Sequence, residues 1–167
     1  MPVLEPLSFE CISHSEEQTQ RLGARLAAAL PAHAIIALSG PLGAGKTQFA
    51  RGVGLGWGAS QPLRSPTFTL VQEHHRAADD HTLYHIDLYR IGRAGDMMTL
   101  GLDEILDDET GIAIVEWAER AESLIPDDAI KVRFEIIHEN KRRLTFSAQD
   151  AATWQILLAF RKNAFGV

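Results

Sequence analysis

GPLGAGKT, residues 40–47, matches the phosphate-loop pattern G-x-x-x-x-G-K-[ST] at every constrained position. Ahead of it, Ala34 to Ala37 with Leu38 read as a short buried strand, and Thr47 to Trp57 reads as the helix that follows. Strand, loop and helix in that order are what the pattern needs. Gly40, Gly43 and Gly45 let backbone N–H groups turn around phosphate oxygens, and the helix start adds the positive end of its dipole. Lys46 offers a cation for the β- and γ-phosphates, and the Thr47 hydroxyl a ligand for magnesium. Leu42, Gly43, Ala44, Gly45, Lys46, Thr47 and Gln48 are therefore the candidate nucleotide-binding residues. The plainer alternative is a glycine turn carrying a surface lysine.

The 167 residues suffice for one hydrophobic core and are too few for two ordinary domains with a linker, so one domain over 1–167 is expected. Hydrophobic residues at 46% and charged residues at 23% place the chain among ordinary globular proteins. A net charge of -6 argues against a protein that coats DNA or RNA by itself. The single cysteine, Cys11, has no intrachain partner and reads as a buried structural thiol. No stretch has the layout of a signal peptide or eighteen continuous apolar residues, so no membrane partner and a cytoplasmic location are expected.

Leu7 to Ile12 reads as a strand, with Ser13 or Ser15 capping a helix through Leu22, Leu26 and Leu30 that Pro31 and Ala32 end. Gly56 to Gln61 is a turn, and Phe68 to Gln72 has strand composition. Glu73 to His81 is polar and reads as an exposed hairpin turn or loop. Thr82 to Asp87 and Ile112 to Val115 are further strands, leading into the carboxylates Asp87 and Glu116. Between them, Gly95 to Leu106 predicts one or two short helices with a break near Gly101. Ile130 to Ile137 and Arg142 to Phe146, joined by a turn at Glu139 to Lys141, read as an antiparallel hairpin, with a helix from Ala151 to Arg161 after it.

Apolar strands ending in an acid bring carboxylates to the edge of the sheet where magnesium and an attacking water would lie. Asp87 ends the run TLYHID and Glu116 lies in AIVEW, and either could contact the metal or order water. The residues themselves do not say which. In RSPTFTL, residues 64–70, Thr67 or Ser65 could stand near a γ-phosphate as a switch-like element, although the same composition makes an ordinary strand entry. Trp117 could be core, a stacking platform or a partner contact, with core the default. The seven histidines lack a zinc spacing, His74 and His75 read as solvated, and Lys141 to Arg143 read as a solvated hairpin end.

These motifs in combination resemble the TsaE family, formerly YjeE, of small bacterial P-loop ATPases required for threonylcarbamoyladenosine formation on tRNA. LGAGKT at 42–47, SPTFTL at 65–70, YHIDLYR at 84–90, GLDE from Gly101 and VEWAER at 115–120 carry the likeness. The resemblance implies ATP and ADP as nucleotides, Mg2+ as the metal, and catalytic roles for Lys46, Thr67, Asp87 and Glu116. It puts Thr47 and Glu116 on magnesium, favouring Glu116 over Asp87, and Trp117 beside the nucleotide or the partner surface. It also implies TsaB and TsaD as partners, with tRNA met only through that complex. Pro41 and Gln48 stand where relatives commonly carry Asp and Thr or Ser, and GRAGDM, residues 92–97, replaces a DP-E-E stretch.

The expected fold is α/β, a three-layer P-loop NTPase with a mixed sheet, a parallel core and a C-terminal antiparallel hairpin. A weak ATPase stimulated when a partner completes the site is the natural hypothesis, because Arg51, Arg64 and Arg90 compete as an arginine finger. The rivals are a small-molecule or nucleotide kinase and a nucleotide-gated scaffold.

Overall fold

In the computed structural model the described residues are 7–65, 70–91 and 101–167. Their centre is β2 (Ala34–Ser39), whose AIIALS sequence is buried along nearly its whole length. A strand apolar on both faces needs cover on both, and it receives it. β2 pairs in parallel with β5 (Gly111–Glu116) on one side and with β6 (Ile130–Ile136) on the other. β4 (Thr82–Asp87) extends the parallel set beyond β5, and β3 (Val71–His75) closes that edge antiparallel to β4. On the opposite side β7 (Arg142–Ala148) folds back antiparallel on β6, and β1 (Leu7–Ser13) adds antiparallel to β7. The strand order is β1-β7-β6-β2-β5-β4-β3.

Helices cover the two faces. α1 (Glu16–Ala27) and α2 (Lys46–Trp57) lie with Ile36, Leu38, Leu83, Ile112 and Ile114. On the other face, Ile35, Ala37, Ile86, Ala113 and Val115 meet α3 (Leu102–Leu106) and a 3-10 helix, Ala118–Leu124. The final helix, α4 (Ala151–Phe165), packs Leu157 and Phe160 beside Phe146. The α1–α2 crossing is close enough that a Cβ on Gly52 would stand 1.9 Å from the Gln20 carbonyl oxygen. Only glycine allows that approach.

The mixed sheet with its parallel core is the expected one, and β4 has the expected bounds. The first strand of the C-terminal hairpin joins the parallel core beside β2, so β7 and β1 make up the antiparallel wing. Ser15, not Ser13, caps α1, its hydroxyl accepting from the Gln18 N–H at 3.1 Å. The Ser13 hydroxyl is instead buried against Thr19 at 2.7 Å. α1 also ends at Ala27, four residues before Pro31, in tight turns where the Ala29 and Leu30 N–H groups donate three residues back.

The polar stretch from Glu73 is not all loop: β3 runs on through His74 and His75, held by register pairs with Leu83 and Thr82. His74 is accordingly half-buried, with no partner for its Nε2 among the described residues, while His75 is exposed. The strand expected to start at Phe68 is described only from Val71, and of the helices expected in Gly95 to Leu106 only α3 falls within the described residues. α4 runs four residues past the expected end at Arg161. Cys11 is half-buried, and burial pushes its thiol up to about 12, in keeping with an inert structural role.

Candidate functional site

Three C-terminal strand ends meet at one edge of the sheet. β2 delivers the phosphate loop, β4 delivers Asp87 and β5 delivers Glu116, with Asp87 and Glu116 directly opposite each other in register. Gly40 leaves β2 at φ 137, and a Cβ there would meet the Phe134 carbonyl oxygen at 2.6 Å. Gly45, also left-handed at φ 103, starts α2. No side chain caps that start, which leaves the first-turn N–H groups directed at whatever occupies the loop.

The loop lines a cleft of about 390 Å³ together with Ser65, Asp87, Tyr89, Arg90, Glu116 and Trp117. Lys46 is 5% exposed, and its ammonium donates to the Gly40 carbonyl at 2.5 Å and the Pro41 carbonyl at 2.8 Å. It also stands 4.1 Å from the centroid of a Trp117 ring. Burial lowers the Lys46 pKa, against the upward pull of Glu119, Glu116 and Asp87. A partly desolvated ammonium surrounded by three acids is poised to exchange carbonyl contacts for a polyanion.

Glu116, 2% exposed, is held at both oxygens. The Thr47 hydroxyl donates to Oε1 at 2.8 Å, joining the phosphate loop to β5, and His85 Nε2 lies 2.5 Å from Oε2. Asp87 is half-buried and keeps one backbone donor, the Tyr89 N–H at 2.9 Å from Oδ1. Burial raises the Asp87 pKa, and the neighbouring Glu116 adds to the rise. The two acids are thus distinguished: one is fixed by two side chains, the other is open to the cleft. Glu116, Asp87 and the Thr47 hydroxyl are oxygen donors of the kind Mg2+ takes. Among the described residues no group of three or more His, Cys, Asp or Glu side chains converges to hold a metal alone.

Trp117 is half-buried and leaves β5 at φ 58, a rare conformation for a bulky residue. It packs at the border of the core below β5, partly buried against that cluster, with part of its ring facing the cleft. Its ring meets that of Tyr89 at a tilt, centroids 4.9 Å apart, and the Arg120 guanidinium lies 5.6 Å from the Trp117 ring centroid. Gln48 faces α1, where it accepts from the Gln20 amide at 2.7 Å. Of the competing arginines, Arg90 lines the cleft, Arg51 donates to the Leu63 carbonyl at 3.2 Å, and Arg64 lines a separate cavity beside β3. Thr67 lies outside the described residues.

Residue-by-residue reading missed three contacts, one at Glu116 and two at the loop. His85 is one, although alternation in TLYHID already puts it on the same face as Asp87. Glu119 accepts from the Gly40 N–H at 3.0 Å. Arg142, expected in a solvated turn, reaches the Gly43 carbonyl at 3.2 Å across 99 residues, a contact with no local signal in sequence.

A parallel strand, a glycine loop, a helix with its N-terminus open, and an acid from the adjacent strand bonded to the helix's first hydroxyl define a P-loop nucleoside triphosphatase. Comparison with known proteins narrows the class. A family model described as "Threonylcarbamoyl adenosine biosynthesis protein TsaE" matches residues 13–144. The chain is 34% identical over 137 residues to the tRNA threonylcarbamoyladenosine biosynthesis protein TsaE of Treponema pallidum, covering 82% of this chain and 98% of that one. It is 36% identical over 132 residues to the protein of the same name from Rickettsia felis, covering 78% and 75%. A crystal structure of YdiB from Bacillus subtilis superposes with a TM-score of 0.78 at 26% identity, covering 96% of this chain and 98% of that one. The chain belongs to the TsaE family. It is a P-loop ATPase of tRNA threonylcarbamoyladenosine biosynthesis, and membership implies nucleotide and magnesium binding in general and partnership with TsaB and TsaD. Among the described residues no helix is long and apolar enough to cross a membrane.

Proposed function

We infer that residues 1–167 act as one cytoplasmic domain that hydrolyses ATP to ADP and phosphate at the phosphate-loop cleft, within a complex of TsaB and TsaD that alone meets the tRNA. The observation that carries this reading is the Thr47 to Glu116 hydrogen bond at 2.8 Å, which ties the start of α2 to the acid on β5. Lys46, with the amides of residues 42–48, neutralises charge on the transferring phosphoryl group. Thr47 and Glu116 hold magnesium. The ion supplies charge neutralisation at the phosphate oxygens. Asp87, with a raised pKa and an open side toward the cleft, orients the attacking water. Trp117 packs beside the nucleotide or the partner surface. Thr67 is assigned its switch role by family resemblance alone.

Phosphate release from ATP by the purified chain, alone and with TsaB and TsaD, tests this reading. Release stimulated by the partners and reduced about 100-fold or more by Lys46→Ala is expected, the size of losing one charge-stabilising donor. Phosphate transferred instead to an added metabolite would sink it in favour of a kinase. Partner-dependent tRNA modification that survives loss of hydrolysis would favour a nucleotide-gated scaffold.

A further inference from the structure

Histidine is an expensive residue to place in the middle of a buried strand face. His85 is 0% exposed, between Leu83 and Asp87 on the face of β4 that α2 covers, and its register partner on β5 is Ile114. An apolar side chain would fill that row with no polar group to satisfy. Among the described residues the His85 ring makes one hydrogen bond, with Glu116 Oε2 at 2.5 Å, and its other ring nitrogen, Nδ1, is buried without a partner there.

The direction of the bond follows once Glu116 is ionised. Glu116 as a carboxylate can only accept, so the ring proton is on Nε2. Nδ1 is then the acceptor nitrogen, without a partner among the described residues. With Thr47 donating to Oε1 and His85 to Oε2, the carboxylate has one donor on each oxygen, from different elements. Each removes one way for the carboxylate to rotate. We propose that His85 is a positioning residue for the ATPase reaction: its Nε2–H locks the Glu116 carboxylate in the orientation that serves magnesium, without itself touching nucleotide or metal. Partners behind a metal-associated carboxylate commonly matter about 10- to 100-fold in metal affinity or activity. This inference rests on the reading of Glu116 as the metal-associated acid.

The test compares His85→Met, which fills the row without a donor, with His85→Gln, whose side-chain amide keeps a donor near the same place. Phosphate release is measured across a magnesium titration, and ADP affinity separately in EDTA. For His85→Met the expectation is about 10- to 100-fold lower turnover, with a higher magnesium requirement and unchanged ADP affinity in EDTA. His85→Gln should regain most of the loss. Native turnover and magnesium dependence in His85→Met, no rescue by His85→Gln, or a parallel fall in ADP affinity would each overturn the proposal. Should His85→Met fail to fold, nitrogen NMR of the unaltered chain decides: the Nε2–H tautomer of His85 is required, and the Nδ1–H tautomer overturns it. A fully active Glu116→Gln would mark failure of the underlying reading instead, since that variant leaves His85 in place.

Discussion

The antiparallel wing and the phosphate-loop edge share one sheet but are built on opposite terms. In the wing, β1, β7 and α4 assemble an aromatic core: Phe9 stacks on Phe146 at 5.3 Å, and Phe146 meets Phe160 at 4.9 Å. Phe49 and Phe134 extend it inward to the central strands. At the loop edge the buried side chains include the polar Lys46, His85 and Glu116, each costly to desolvate. Stability is concentrated in one region and chemical potential in the other, joined by Phe134, whose carbonyl also limits Gly40. Substitutions in the wing should therefore cost folding free energy, and those at the loop edge should cost turnover first.

The largest stability effect is expected for Phe146→Ala, which empties the centre of the aromatic cluster and should destabilise by about 3–5 kcal/mol. Denaturant unfolding should show it, with per-molecule ATPase unchanged in the fraction that remains folded. An equal loss of specific activity would break the division between the two regions.

Asp87→Asn sharpens the contrast from the other side. The folded pKa of Asp87 is raised, so the folded chain holds that proton more tightly than the unfolded chain. Ionised Asp87 thus costs stability above the ordinary carboxylate value, and the cost is relieved as pH falls through the raised one. At neutral pH the variant should be at least as stable as the parent, with turnover lower by about 10- to 100-fold. Lower stability at neutral pH would show that the Tyr89 N–H to Asp87 bond outweighs the burial of charge.

A smaller effect lies away from both regions. The Tyr84 hydroxyl donates to Asp108 Oδ2 at 2.7 Å, and that bond pushes the phenol up to about 12. Because the folded value is raised, the contribution is fully present below the unfolded pKa near 10 and is lost as pH rises through about 12. Tyr84→Phe should cost about 0.5–1.5 kcal/mol at neutral pH. The gap to the parent should narrow above pH ~10, and a gap that does not narrow would assign the loss to packing.

Much of this division was legible in local sequence. GPLGAGKT and the acids in TLYHID and AIVEW place the chemistry at one sheet edge, because each depends on a few contiguous residues and a period of two. The hairpin at Ile130 to Phe146 was visible for the same reason. What stayed hidden depended on distant partners. The pairing of β1 with β7 joins residues at opposite ends of the chain, and nothing in LSFECIS names its neighbour. The end of β3 passes for loop because, at the sheet edge, it carries polar Glu73, His74 and His75, and only their register with β4 makes them strand. Zinc spacing shows nothing at His85, because its partner, Glu116, lies on the adjacent strand.

The most direct measurement on the site is Glu116→Gln, assayed for Mg-dependent phosphate release with TsaB and TsaD and, separately, for ATP affinity. The amide keeps the size of the carboxylate and removes its charge. Retained ATP affinity, within a few fold, with phosphate release reduced about 100-fold or more is the expected result. Native phosphate release in this variant would contradict the assignment of Glu116 and, with it, the division of the sheet into a stabilising wing and a catalytic edge.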